Sequence, residues 1–132
     1  GFLKYEDLSK VLSCADIFLL PFPDTPANRG RWPHKIADYM CLARPTVTNP
    51  VGEMKLLFEE EHVGLLAKET PEDFAGQVSR LIDDPKLRDD FGRNARRVAE
   101  EKLSWDKTID GLERMYMDTI HRFDGDTPNT AG

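Results

Sequence analysis

The sequence predicts an α/β fold with a three-stranded parallel sheet, flanking helices and a helical C-terminus. Three short apolar runs, residues 16–21, 45–48 and 63–67, alternate with amphipathic segments of helical spacing. Strands that alternate with helices are joined by right-handed crossovers, which place them parallel in one sheet. Three strands are few for such a sheet, so we expect the 132 residues to be a fragment, or a naturally short relative, of a larger unit.

Each element of the first half has a local cause. Residues 5–15 repeat apolar side chains at helical spacing, and the continuous apolar run 16–21 is typical of a strand buried on both faces. Residues 22–32 show no periodicity and are predicted to be a loop. Pro33 opens the next helix, because its missing N–H costs nothing at the first helical position.

The second half is predicted to be mainly helical. Residues 49–52 form a second loop before a helix over 53–61. Side-chain oxygens that accept a hydrogen bond from the first turn mark further helix starts. Such starts are predicted at Thr70, Asp84 and Ser104.

Composition and charge argue against several classes of protein. With 39% apolar and 32% charged residues, the chain is typical of a globular protein. Its net charge of −6 argues against a general nucleic-acid binder, whose phosphate contacts need a basic surface. We recognise no signal peptide, and no apolar run approaches the ~20 residues that span a bilayer. We therefore expect a cytoplasmic protein, with peripheral attachment to the membrane left open.

Cysteines and histidines follow no metal-ligand spacing. Cys14 and Cys41 each lie in an apolar stretch, so we expect buried free thiols. His34, His62 and His121 are far apart in the sequence. The chain is therefore predicted to hold no metal and to need no cofactor.

Cations gather at the predicted start of the helix that Pro33 opens. Residues 24–48 carry a local charge of +2, contributed by Asp24, Arg29, Arg31, Lys35, Asp38 and Arg44. A helix N-terminus presents unpaired N–H groups and a partial positive charge, so the pattern indicates a phosphate site. The alternative is that these side chains are solvated or pair with surface carboxylates.

Three neighbouring residues also leave two interpretations open. Asp38 either favours the helix dipole alone or accepts hydrogen bonds from the two hydroxyls of a ribose. Trp32 either stacks on a base or, as we favour, packs its loop against the sheet. Gly52, followed by Glu53, has room to bring backbone N–H groups close to a ligand, although a glycine before a helix is common.

With these residues in place, the chain resembles the C-terminal domain of the group 1 glycosyltransferases, which are retaining, nucleotide-sugar-dependent enzymes of the GT-B fold. The resemblance covers residues 2–116. It is most specific in the pattern PxKxxDYM at 33–40 followed by RP at 44–45, and in AR at 95–96 followed by SW at 104–105. The order and spacing of these motifs carry the resemblance.

The resemblance implies a partial Rossmann-like fold that binds a nucleoside diphosphate sugar. The family places the acceptor on a separate N-terminal domain, which we expect to be missing from these residues. Residues 1–123 would then be a partial nucleotide-sugar-binding domain and residues 124–132 a disordered tail. We expect little or no activity of the isolated chain, and a role of the intact enzyme in polysaccharide biosynthesis.

The resemblance also implies roles for single residues. Two glutamates separated by seven residues are typical of the family; the second, which binds ribose, aligns with Asp38, and the first falls on Gly30. Its contact with the donor sugar is lost or taken over by a neighbour such as Asn28. We expect Arg31, Lys35 and the first-turn backbone to bind phosphate. The complete predicted substrate site is Asn28, Arg29, Arg31, Lys35, Asp38, Gly52 and Glu53.

Two other hypotheses concern partners. A non-catalytic interaction module that retains the fold is the alternative function, whereas a flavodoxin-like receiver is disfavoured because it needs an acidic pocket. In the family's strand order, 3-2-1-4-5-6, the run 16–21 is the fourth strand, and its neighbour is missing. We therefore expect an open edge, with Phe18 and Leu20 uncovered, through which two copies pair.

Overall fold

Three parallel strands form the centre of the computed structural model, which describes residues 2 and 4–125. They are β1 (Phe18–Leu20), β2 (Thr46–Thr48) and β3 (Gly64–Leu66). Their order in the sheet is β1-β2-β3, with Leu19 opposite Val47 and Val47 opposite Leu65. The predicted α/β fold with a three-stranded parallel sheet is confirmed.

Seven helices surround or follow the sheet in the described part of the chain. Their bounds are α1 (Tyr5–Leu12), α2 (Pro26–Arg29), α3 (Lys35–Cys41), α4 (Glu53–Glu61), α5 (Pro71–Asp83), α6 (Pro85–Lys102) and α7 (Trp105–Gly125). The predicted caps are present: Thr70 accepts from the N–H of Asp73 at 3.3 Å, and Asp84 from that of Leu87 at 2.9 Å. Ser104 accepts from the N–H of Lys107 at 3.4 Å.

Local boundaries differ from the prediction at several places. The helix that Pro33 was predicted to open begins at Lys35, because the N–H groups of Ile36 and Ala37 donate to carbonyls three residues earlier, in a tighter turn than that of an α-helix. Helix α1 ends at Leu12, three residues before the predicted end.

The loop predicted over 22–32 contains α2, because Thr25 accepts a hydrogen bond from the N–H of Asn28 at 3.2 Å and begins a helical turn. Of the predicted tail, residues 124–125 form the end of α7, and residues 126–132 lie outside the described residues.

Helices cover the two faces of the sheet unequally. On one face α3, α4 and α6 enclose the larger core, which includes Ile36, Met40 and Phe58. On the other face a smaller core of Val47, Ala67 and Leu81 lies beneath α5 and α6. In the described part of the chain, no helix has the length and apolar character of a membrane span.

Two predictions of burial are wrong. Phe18 and Leu20 were expected to be uncovered. Phe18 is only 6% exposed, and its ring stacks on that of Tyr39 of α3 with centroids 4.0 Å apart. Leu20 is partly buried against the larger core. Cys14 and Cys41 were expected to be buried, but both are exposed free thiols. Cys14 lies after the end of α1, and Cys41 is the last residue of α3.

Candidate functional site

The two predicted loops meet at the carboxyl ends of β1 and β2, the edge at which parallel sheets bind ligands. Residues 21–34 follow β1, and residues 49–52 follow β2. Gly52 has φ +54°, and a Cβ atom there would stand 2.7 Å from the carbonyl oxygen of Arg29. Glycine alone suits both the conformation and the close approach, so Gly52 sets the distance between the loops.

Arg29 is paired with a carboxylate. Its Nε lies 2.5 Å from Oδ1 of Asp24 and its Nη2 2.8 Å from Oδ2. This bidentate pair lowers the pKa of Asp24 and raises the pKa of Arg29, chiefly through the side-chain hydrogen bonds. For Arg29, therefore, the structure shows the arrangement left open above, a surface cation that pairs with a carboxylate.

Arg31 and Lys35 carry the uncompensated positive charge of the site. Among the described residues, no carboxylate oxygen lies within 4.0 Å of either side-chain charge. The guanidinium carbon of Arg31 lies 5.1 Å from the centroid of the Phe22 ring, and Lys35 is exposed at the first residue of α3. A cation without a counterion at a loop edge is available to an anionic ligand.

The backbone at the start of α3 offers fewer donors than the sequence suggests. The N–H of Ile36 donates to Pro33 at 3.0 Å, and that of Ala37 to His34 at 3.1 Å, so the turn before α3 already occupies them. The cationic side chains are therefore the main donors that the site presents to an anion.

Asp38 lies one turn after Lys35, on the same side of α3. It is exposed, and it lines a groove of about 200 Å³ between α1 and α3 together with Leu8, Leu12 and Cys41. The structure thus places the Asp38 carboxylate one helical turn from Lys35, in a groove with apolar walls. Burial raises the pKa of the neighbouring Tyr39, with the Asp38 charge as a smaller cause.

The remaining predicted residues are placed differently. The amide of Asn28 is 8% exposed and donates to the carbonyl of Pro23 at 2.8 Å, so it holds its own loop. Trp32 packs against the larger core, as favoured above. Glu53 is exposed at the start of α4, beside Gly52. At Gly30 the nearest heavy atom to a Cβ is 3.9 Å away, which leaves room for a side chain.

Potential metal ligands are dispersed. His34 precedes α3, and Cys41 shares the groove with Asp38. Among residues 2 and 4–125, no three His, Cys, Asp or Glu side chains gather as a metal site.

Sequence reasoning missed Asn49, which follows β2. It is 5% exposed, and its Oδ1 accepts from the N–H of Phe22 at 2.8 Å. Its Nδ2 donates to the carbonyl oxygens of Ala67 at 3.0 Å and Lys68 at 3.2 Å. Next to Pro50 it looked like an ordinary turn residue, and no local pattern indicates that its partners come from two other strand ends.

Comparisons with known proteins identify the family of the chain. The family model described as "Glycosyl transferases group 1" matches residues 1–98. Alpha-D-kanosaminyltransferase of Streptomyces kanamyceticus is 29% identical over 118 residues, which are 88% of this chain and 29% of that protein. D-inositol 3-phosphate glycosyltransferase of Thermobifida fusca is 32% identical over 79 residues, 59% of this chain and 18% of that protein.

A solved structure shows the same fold. Sucrose-phosphate synthase from Thermosynechococcus elongatus superposes with a TM-score of 0.77 at 20% identity, over 92% of this chain and 30% of that one. The chain thus spans less than a third of the length of these relatives. Because the family model matches most of this chain, the chain belongs to the group 1 glycosyltransferases and corresponds to the C-terminal domain of their GT-B fold.

Proposed function

We propose that this chain is the donor-binding part of a retaining glycosyltransferase that uses a nucleoside diphosphate sugar. The observation that carries the proposal is the pair Arg31 and Lys35, two cations without a carboxylate partner among the described residues, at the carboxyl edge of the sheet. In this proposal they bind the donor's pyrophosphate, and Asp38 accepts hydrogen bonds from the ribose hydroxyls.

These residues act on the bond between sugar and phosphate. As that bond breaks, the sugar gains oxocarbenium character and the nucleoside diphosphate gains negative charge. Fixed cations beside the departing phosphate stabilise that charge, which lowers the barrier by electrostatics. The acceptor is bound by the part of the intact enzyme that this chain does not cover, and the proposal includes no metal.

The binding experiment uses calorimetric titration of the chain with several nucleoside diphosphates and with inorganic pyrophosphate. We expect affinities no tighter than the high micromolar range, since two cations supply a small part of a donor's contacts. Lys35→Met should weaken both ligand classes about 5- to 10-fold, as expected for a screened charge-assisted contact. Lys107→Met on the exposed helix α7 is the matched control and should change neither.

Asp38→Ala distinguishes a contact with the ribose from a contact with the phosphates. It should weaken nucleoside diphosphates about 5-fold, the value of one hydrogen-bonding carboxylate, and leave pyrophosphate unchanged. Equal losses for both ligands, or no loss, would assign Asp38 to helix stability alone.

A non-catalytic interaction module is the second candidate, and Gly30 is the observation that favours it. The glutamate expected there is missing, although the structure leaves space for a side chain. An assay of glycosyl transfer and donor hydrolysis with the intact protein distinguishes the two candidates. Donor turnover supports the enzyme, and its absence in a protein that binds no nucleoside diphosphate supports the module.

A further inference from the structure

We infer that Asn49 is a positioning residue for the anion site, because its side chain holds the backbone of Phe22 and thereby the ring over which Arg31 lies. The inference rests on the proposed function to the extent that Arg31 meets the donor's phosphates. Asn49 itself touches no ligand in this scheme and acts through Phe22 and then Arg31.

The first step of this relay is a buried hydrogen-bond network. The side chain of Asn49 links the second residue after β1 to the two residues after β3, through the bond of 2.8 Å to Phe22 and those of 3.0 and 3.2 Å to Ala67 and Lys68. A single amide thus ties together the ends of all three strands. Since it is 5% exposed, water replaces none of these bonds easily.

The second step runs from Phe22 to Arg31. Phe22 is 2% exposed and belongs to the larger core, so core packing and the backbone bond to Asn49 together fix the place of its ring. Its face carries the guanidinium of Arg31 at 5.1 Å, a geometry in which the ring quadrupole attracts the cation. Arg29 is held by the Asp24 carboxylate, whereas the ring is the observed neighbour that orients Arg31.

The chemistry of the three bonds specifies an amide. Phe22 needs an acceptor, and the carbonyl oxygens of Ala67 and Lys68 need donors. A carboxylate would place negative charge against two carbonyl oxygens, and an aliphatic side chain would leave all three partners unpaired. The amide of asparagine has both an acceptor oxygen and a donor N–H₂ group, on a side chain that reaches all three partners.

The test compares Asn49→Ala with Thr48→Val. Thr48 is the preceding residue of β2, and its hydroxyl donates to the carbonyl of Leu20 at 2.8 Å, so the control loses a partly buried hydrogen bond without touching Phe22. Both variants should melt at lower temperature than the unmodified chain. Only Asn49→Ala should weaken inorganic pyrophosphate binding, by about 5-fold, at a temperature where circular dichroism shows both folded.

Two readouts separate positioning from a merely structural role. In the Arg31→Met background, Asn49→Ala should cause no further loss of pyrophosphate affinity, because its effect passes through Arg31. The NMR signal of the Arg31 Nε–H should show a ring-current shift from Phe22, which Asn49→Ala abolishes and Thr48→Val keeps. Should Asn49→Ala fail to fold, Phe22→Leu removes the ring that lies between Asn49 and Arg31. It should weaken pyrophosphate about 5-fold, cause no further loss in the Arg31→Met background, and abolish the ring-current shift of the Arg31 Nε–H.

The inference is overturned if folded Asn49→Ala keeps the ring-current shift, or if its affinity loss persists in the Arg31→Met background. A wild-type chain that binds neither pyrophosphate nor nucleoside diphosphates would contradict the proposed function instead. The NMR comparison, which needs no ligand, would still decide whether Asn49 positions Arg31.

Discussion

Helices α6 and α7 are consecutive, amphipathic and capped at their N-termini, yet only α6 is buried. Val98 of α6 is fully buried, with Ala95 and Ala99 beside it. On α7 the apolar side chains at helical spacing are about half exposed; they are Ile109, Leu112, Tyr116 and Ile120. An amphipathic pattern therefore predicts a helix and its apolar face, but not whether a partner covers that face.

The side chains of the two helices explain part of this difference. The buried positions of α6 are small, so its backbone reaches the end of α3: a Cβ atom at Gly92 would stand 2.4 Å from the carbonyl oxygen of Ala43. Polar groups add a bond to each of two helix ends, since Arg96 donates to the carbonyl of Cys41 in α3 and Asn94 to that of His62 after α4. The side-chain hydrogen bonds of α7, among the described residues, stay at its own turns.

The same substitution in both helices should have opposite effects. Gly92→Ala should lower the free energy of unfolding by about 2–3 kcal/mol, because the new methyl group meets backbone that cannot move aside. Gly111→Ala on α7 should raise it by about 0.5–1 kcal/mol, since no heavy atom lies within 4 Å and alanine favours the helix. Urea unfolding measures both; a destabilised Gly111→Ala would indicate that α7 is packed.

Truncating one apolar side chain in each helix tests burial itself. Val98→Ala should cost about 2 kcal/mol, the transfer of two carbons and the cavity they leave. Leu112→Ala, at a side chain 45% exposed, should cost less than about 0.5 kcal/mol. Equal losses in urea unfolding would show that α7 is covered in solution.

Acid should loosen α6 at its C-terminal end. Glu61 of α4 accepts from Lys102 and, at 2.8 Å, from Arg97, and these bonds lower its pKa, that of Lys102 being the larger cause. Since the folded pKa lies below the unfolded value of about 4.5, this stabilisation is complete above that value and is lost as the pH falls through the folded pKa.

Glu61→Gln should therefore cost about 0.5–1 kcal/mol at pH 7 and nothing in strong acid, where the wild-type carboxyl is also neutral. Glu101→Gln is the matched control, because Glu101 pairs with the same Arg97 within α6 and is more exposed. Urea unfolding from pH 7 to pH 2 measures the difference in free energy of unfolding between the two variants. This difference should shrink as the pH falls, and a constant difference would contradict the account.

Much of the fold follows from the sequence because its signals are local. Thr70 and Asp84 identify the starts of α5 and α6 by groups within one turn. Burial is less local: Phe18 is covered by Tyr39, which follows it by 21 residues in the chain, and the free cysteines were misjudged because apolar neighbours in sequence do not enclose a helix end.

The site divides in the same way. Arg31, Lys35 and Asp38 could be proposed from spacing, since helix geometry places Lys35 and Asp38 side by side. Asn49 could not, because its partners lie 27 residues before and 18 residues after it. The pairing of Arg29 with Asp24 was one of two alternatives that the sequence left open, and only the folded loop shows which of them applies.

The smallest effect on stability, and the sharpest comparison of two uncovered surfaces, concerns β1 and α7. Among the described residues β1 pairs only with β2, so its other edge is open. Leu19 of β1 is 50% exposed and lies beside the apolar Phe74 and Val78 of α5. Unpaired N–H and C=O groups beside an uncharged strand form an edge that favours pairing with another strand.

We therefore predict that the 132-residue chain forms dimers at high micromolar concentration through the edge of β1. Leu19→Lys places a charge beside that edge and should restore the mass of a single chain, measured by light scattering after gel filtration. Leu112→Lys adds the same charge to the exposed face of α7 and should leave the dimer intact. Because both side chains are about half exposed, neither change should alter the free energy of unfolding by more than about 0.5 kcal/mol. Loss of the dimer with Leu112→Lys alone would assign the contact to α7, since the exposed apolar face would then attract the second copy more strongly than the unpaired backbone of β1.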